Sequence, residues 1–289
     1  MPRLAAALLI LLALAAGGCG GQDSERLAQQ VRDQAQEIQT RAEHVSERAK
    51  QIARDVKAAL DKIKASVPRA TTDAQAPTTG GRTSPQEIDT YLTTVLTSID
   101  AYWTKTLKAS GLREPHVSYV WVPVGRAVQT GCGTPAGAEA AFYCPSDDTI
   151  YVSVELAARI WEGVASNLPG QNAGYGHAVG DFGLAYVVAH EYGHNIQQEL
   201  GLGEVDPRTG VEPLELQADC MAGLWGNSVY RAGKLHPGDV QDAISTVMAV
   251  GDFDLNNPQH HGTPEQRRAA WLIGYRSGDP ARCGPAGGV

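Results

Sequence analysis

Between residues 24 and 67 the apolar positions repeat every seven. Val31, Ile38, Val45 and Ile52 hold one seam position, and Ala28, Ala35, Ala42, Ala49, Val56 and Ile63 hold the other. The stretch has no Gly or Pro and is rich in Ala, Gln, Glu, Arg and Lys. It reads as a coiled-coil-like helix able to self-associate, or as a long solvated amphipathic helix, because alanine packs weakly at a seam. At ~1.5 Å per residue it would run on the order of 65 Å, enough to stand the rest of the chain off a membrane. Residues 68–85 have almost nothing to bury and read as a flexible linker. The pattern then changes. A helical repeat at 88–107 precedes two runs of strand character at 117–124 and 149–154, the second alternating and preceded by Asp147-Asp148. Helical repeats follow at 182–200, 213–232, 240–250 and 264–275. Thr263-Pro264-Glu265-Gln266 is a well-formed start for the last of these, with Thr263 as cap and Gln266 closing a capping box. Strands first and helices later predict an α+β domain over 86–289. The Gly-rich segment 169–183 reads as a loop or a mobile rim, and the strand at 149–154 is expected to offer an exposed edge to an extended peptide.

The N-terminus adds a destination. Residues 1–18 carry Arg3, an apolar run over 4–16 and small residues before Cys19, which predicts a secretory signal. The run is too short for a bilayer core, which needs about 20 residues. Ala16-Gly17-Gly18-Cys19 resembles the lipobox of bacterial lipoproteins, so Cys19 is the expected lipid attachment point and the membrane an expected partner. Ala13-Leu14-Ala15 offers an ordinary signal peptidase an alternative cut. The expected location is outside the cytoplasm, at the cell membrane. A formal net charge of −8 and no Lys/Arg cluster argue against nucleic acid as a partner. Cys132, Cys144, Cys220 and Cys283 remain, an even number that suggests two disulfides in an exported chain, with buried free thiols as the alternative. Of three connectivities, Cys132–Cys144 with Cys220–Cys283 is favoured because the first pair brackets one short segment. A cysteine-ligated zinc site is not expected, since no C-x-x-C occurs.

The chemistry concentrates at His190-Glu191-Tyr192-Gly193-His194, an H-E-x-x-H motif inside a helical run buried on its N-terminal side by 185–189. Residues four apart share a helix face, so both imidazoles can meet one metal while Glu191 sits beside the remaining coordination position as general base. A metzincin would need Gly at 197 and His at 200, where this chain has Gln197 and Leu200. The next helical repeat instead carries Glu215-Leu216-Gln217-Ala218-Asp219, with Glu215 and Asp219 again four apart. Glu215 is the expected third ligand of a His-His-Glu zinc site, and Asp219 the expected acceptor of a ring N–H from a zinc-bound histidine, His190 first.

Together Asp181-Phe182, the motif at 190–194 with Gln197, Glu215-Leu216-Gln217-Ala218-Asp219-Cys220, Tyr143-Cys144-Pro145 and His261-Gly262-Thr263-Pro264-Glu265-Gln266-Arg267 resemble the bacterial putative neutral zinc metallopeptidase family. The resemblance covers roughly 86–283 and leaves the coil and linker outside. It implies a zincin-like fold and a zinc-dependent peptidase of gluzincin type with one Zn²⁺ per chain, acting on a peptide or protein. In that chemistry Glu191 takes a proton from a zinc-activated water and later gives it to the leaving amine. His261, just ahead of the capped helix, is the candidate donor to the oxyanion. Two other readings stay open: a non-catalytic surface lipoprotein with a structural zinc and a coil for partner binding, and a zinc amidase acting on a cell-wall bond. Retention of a base in Glu191 speaks against the first, because a structural site fills its positions with protein ligands.

Overall fold

Ile88, Tyr91, Leu92, Val95, Leu96, Ile99, Trp103 and Leu107 are spaced to share one face of a helix, and all are buried in α1 (Pro85–Ala109). Ser84 caps it. The Ser84 hydroxyl accepts the Glu87 N–H at 3.3 Å, and Glu87 Oε2 accepts the Ser84 N–H at 2.6 Å. The linker expected to reach residue 85 therefore loses Ser84 and Pro85 to this capped start. The computed structural model describes residues 84–284 and Gln36, a helical position. The signal at 1–18, Cys19, the rest of the 24–67 stretch and the linker up to 83 lie outside the described residues.

Three strands follow: β1 (Ser118–Val122), β2 (Ala141–Cys144) and β3 (Thr149–Ser153). They are ordered β1-β3-β2, with β1 parallel and β2 antiparallel to β3. Every residue of β3 is buried, as expected of a central strand covered on both faces. This corrects the expectation of an exposed edge at 149–154: β3 has a neighbour on each side, and one free edge of the sheet belongs to β2. β2 itself escaped the hydrophobic pattern because it is four residues long and only Cys144 in it is fully buried.

Ser153 ends β3 and also caps α2 (Val154–Trp161), its hydroxyl accepting the N–H groups of Glu155 and Leu156 at 3.2 and 3.3 Å. No turn residue separates strand from helix, so the apolar run at 149–154 conceals the helix behind it. After one helical turn, α3 (Pro169–Asn172), come α4 (Asp181–Glu199), α5 (Glu212–Arg231), α6 (Asp239–Ala249), α7 (Pro264–Ser277) and a 3₁₀ turn (Pro280–Arg282). The segment between α3 and α4 is tied to α6, where the N–H groups of His177 and Val179 donate to the hydroxyls of Ser245 and Thr246. Among the described residues, no helix is long and apolar enough to cross a membrane.

α4 is buried around most of its circumference, which marks it as the central helix of an α+β domain. It packs on α1, α2, α5, α6 and β2. Two close approaches set the geometry of the site. A Cβ placed on Gly193 of α4 would lie 3.0 Å from Ala218 Cα, so α4 and α5 meet almost backbone to backbone. A Cβ on Gly274 of α7 would lie 1.9 Å from Cys220 O, which leaves no room for a side chain between α7 and α5. The cysteines pair as Cys132–Cys144, fastening the 123–140 excursion to the end of β2, and as Cys220–Cys283, fastening α5 to the C-terminal turn.

Candidate metal centre

The contact at Gly193 and Ala218 brings one turn of α4 against the first turns of α5, and the side chains flanking it converge. His190 Nε2 lies 3.1 Å from Glu215 Oε2, and His194 Nε2 lies 3.3 Å from Glu215 Oε1. The two imidazoles stand nearly perpendicular, with ring centroids 4.8 Å apart. One donor atom from each of His190, His194 and Glu215 falls within 4.8 Å of the others. A tetrahedral ion with bonds of about 2.0–2.1 Å keeps its ligand atoms roughly 3.3 Å apart, close to the two imidazole-to-carboxylate spacings, and the donor chemistry suits zinc.

The electrostatics favour a cation at the same point. Burial opposes charge on His190, but Asp219 and Glu215 outweigh it and push its pKa up to about 10. Burial likewise raises Glu215, yet His194 and His190 overcome it and hold the carboxyl well below the carboxylate range. A buried carboxylate that stays ionised demands positive charge among its neighbours, whether protons or a metal.

Behind His190 stands a charged network. Asp219, fully buried, has Oδ1 at 2.9 Å from His190 Nδ1 and accepts the Tyr186 hydroxyl at 2.6 Å. Arg267 of α7 donates to the same carboxylate through Nε at 2.8 Å and Nη2 at 3.0 Å. Its Nη2 is 3.3–3.4 Å from both ring nitrogens of His190, so the guanidinium lies over the ring face. Behind His194 the partners are neutral. Gln197 Oε1 is 2.8 Å from His194 Nδ1, and the Gln197 amide nitrogen donates to Leu214 O at 2.7 Å and to Gln217 Oε1 at 3.1 Å. Sequence reasoning quoted Gln197 and Arg267 as motif members without a role and left Tyr186 out of the site. Gln197 carried a usable signal, since it stands three residues after His194 and shares its helix face.

Glu191 supplies no donor to the three-residue group, but it lines the same cavity of about 740 Å³. Its Oε2 accepts the backbone N–H of Tyr143 at 2.8 Å, from the outer edge of β2. Burial raises its pKa. His261 lines that cavity too, half-exposed at the rim, with its backbone N–H donating to Asp252 Oδ2 at 2.9 Å.

Two histidines of one helix and a glutamate from the next, set in a small mixed α+β domain, form a group that could hold a metal ion. The chain belongs to the putative neutral zinc metallopeptidase family, whose model matches residues 48–285. That match begins inside the 24–67 stretch, ahead of the limit that the motifs alone suggested. The chain is similar to the uncharacterized protein YpfJ of Escherichia coli (strain K12), 34% identical over 181 residues, which are 55% of this chain and 58% of the relative. It is similar also to the uncharacterized protein Rv2575 of Mycobacterium tuberculosis (strain H37Rv), 34% identical over 212 residues, 64% of this chain and 66% of the relative. The chain thus spans a little over half of the first of these relatives and just under two thirds of the second. No solved structure matches it.

Proposed function

We propose that this protein is a zinc-dependent peptidase in which His190, His194 and Glu215 hold the metal and Glu191 is the general base. The observation that carries the reading is the position of Glu191: a buried carboxylate beside the three donors, facing the same cavity, and committed to none of them. Zinc bound at these donors supplies the Lewis acidity that brings a water's pKa towards neutrality and polarises a carbonyl. Glu191, oriented by the Tyr143 N–H, takes the proton from the attacking water and returns it to the leaving amine. His261 at the rim donates to the developing oxyanion. Ladder bonds alternate along a strand, so Ala141 turns its backbone groups the same way as Tyr143, outward from β3 and along the cavity wall. An extended peptide pairs with that edge of β2. Leu156, Ile160, Leu168, Val187 and Val250 form the apolar part of the wall and favour a bulky apolar side chain beside the scissile bond.

Glu191→Gln keeps shape and all three ligands, so zinc should stay near one per chain while hydrolysis of a mixed peptide library falls about 10²–10⁴-fold. Glu215→Ala should lose the zinc. Undiminished hydrolysis in Glu191→Gln, or full zinc in Glu215→Ala, overturns the assignment.

The proposal extends to location: the chain is exported and anchored by lipid on Cys19. Two disulfides in one domain suit an oxidising compartment. Mass spectrometry of the mature N-terminus tests this, and an unmodified Cys19 would remove the anchor.

A further inference from the structure

His194 is held differently from His190, and the difference leads away from the metal to the C-terminus. Gln197 is almost fully buried one turn beyond His194 on α4. Its amide can take only one orientation. The nitrogen faces two acceptors, Leu214 O at 2.7 Å and Gln217 Oε1 at 3.1 Å, so the oxygen must be the atom 2.8 Å from His194 Nδ1. An amide oxygen accepts only, so His194 Nδ1 carries a proton and Nε2, towards Glu215, is the nitrogen available to a metal. The chain continues. Gln217, also buried, donates its own amide nitrogen to Cys283 O at 2.9 Å, and Cys283 is bonded covalently to Cys220 on the same helix as Gln217. Leu214, the other acceptor, is the residue next to Glu215.

We infer that Gln197 is a positioning residue that fixes the tautomer and ring angle of His194 and ties that ligand to the backbone beside Glu215, with Gln217 and the disulfide-held carbonyl of Cys283 as its outer support. The inference rests on the His-His-Glu group as a metal site and not on peptide hydrolysis, so zinc affinity is its measure.

The test is zinc affinity by chelator competition on the full chain, with the ¹⁵N shifts of His194 read in parallel. Gln197→Met keeps length and bulk but removes the acceptor; it should weaken zinc 10–100-fold and let both His194 tautomers appear. Gln197→Glu keeps an acceptor oxygen towards His194 but loses the donor to Leu214 O and Gln217 Oε1, so it should keep the Nδ1–H tautomer alone while weakening zinc less than Gln197→Met does. Gln217→Met leaves the His194 contact in place and should fall between the two. Wild-type affinity and a single tautomer in Gln197→Met overturn the inference, and so does an equal loss in Gln197→Met and Gln197→Glu, which would make the site one of packing only. Wild-type zinc binding without hydrolysis counts against the peptidase reading and leaves this one standing.

Discussion

The two imidazoles of the metal centre leave the same helix one turn apart, yet one is backed by ions and the other by amides. On the His190 side a fully buried carboxylate, Asp219, takes the ring proton and is itself matched by Arg267. On the His194 side Gln197 does the same geometric work with no charge at all. A carboxylate partner raises the basicity of its histidine, whereas an amide only aims it. Because Asp219 and Arg267 cancel, the outer charges do not neutralise a bound divalent ion, and Glu215 alone among the ligands does so in part. In the proposed zinc site, polarising power at the metal would thereby be preserved while both rings are held in place. Placing the charged network on one side only also confines the cost of burying ions to a single well-bonded group.

The contrast breaks most visibly at Arg267. Arg267→Met takes the guanidinium from buried Asp219 and leaves His190 as the countercharge beside it, which should destabilise the fold by about 3 kcal/mol in urea denaturation, whereas adding Asp219→Asn to the same chain should recover much of the loss. If the single variant is as stable as wild type, the network is not a compensated pair. A smaller effect is expected at the metal. Asp219→Asn keeps an oxygen for His190 Nδ1 but removes its charge, so zinc affinity should drop about 10–100-fold, and an unchanged affinity would erase the electronic distinction between the two histidines. The smallest effect lies at the other end of α4, where Asp181, Asp239 and Asp242 gather. Burial, with Asp181 and Asp239 nearby, pushes the Asp242 pKa from 3.8 up to about 6. A raised pKa means the folded state favours the protonated form. The contribution of Asp242 is thus fully present below pH 3.8 and lost as pH rises through 6. Asp242→Asn should raise the melting temperature slightly at pH 7.5 and leave it no higher at pH 3.5. A gain at both pH values would assign the effect to packing.

The grouping of His190, His194 and Glu215 was legible because each step is local: a four-residue spacing on one helix, and a glutamate at the start of the next. Asp219 was legible by the same four-residue rule. The family likewise followed from motifs quoted in order along the chain. What escaped depends on how helices cross. Nothing near Arg267 in sequence says that α7 meets α5 without room for a side chain at Gly274 or Gly223, and that close packing of α7 on α5 carries the guanidinium to Asp219. The sheet was half legible. Its two longer strands stood out, but the order β1-β3-β2 turns the strand expected at an edge into the central one. α2 stayed hidden because Ser153 serves strand and helix at once.

Gly193 has a further consequence. Its missing side chain lets α5 approach until a Cβ would stand 3.0 Å from Ala218 Cα and 3.1 Å from Ala218 O, and the two contacting residues flank His194 and Glu215 along the chain. Any larger residue there makes its neighbours give by a few tenths of an ångström. The glycine in the middle of the motif therefore sets how close the helix carrying the two histidines comes to the helix carrying Glu215.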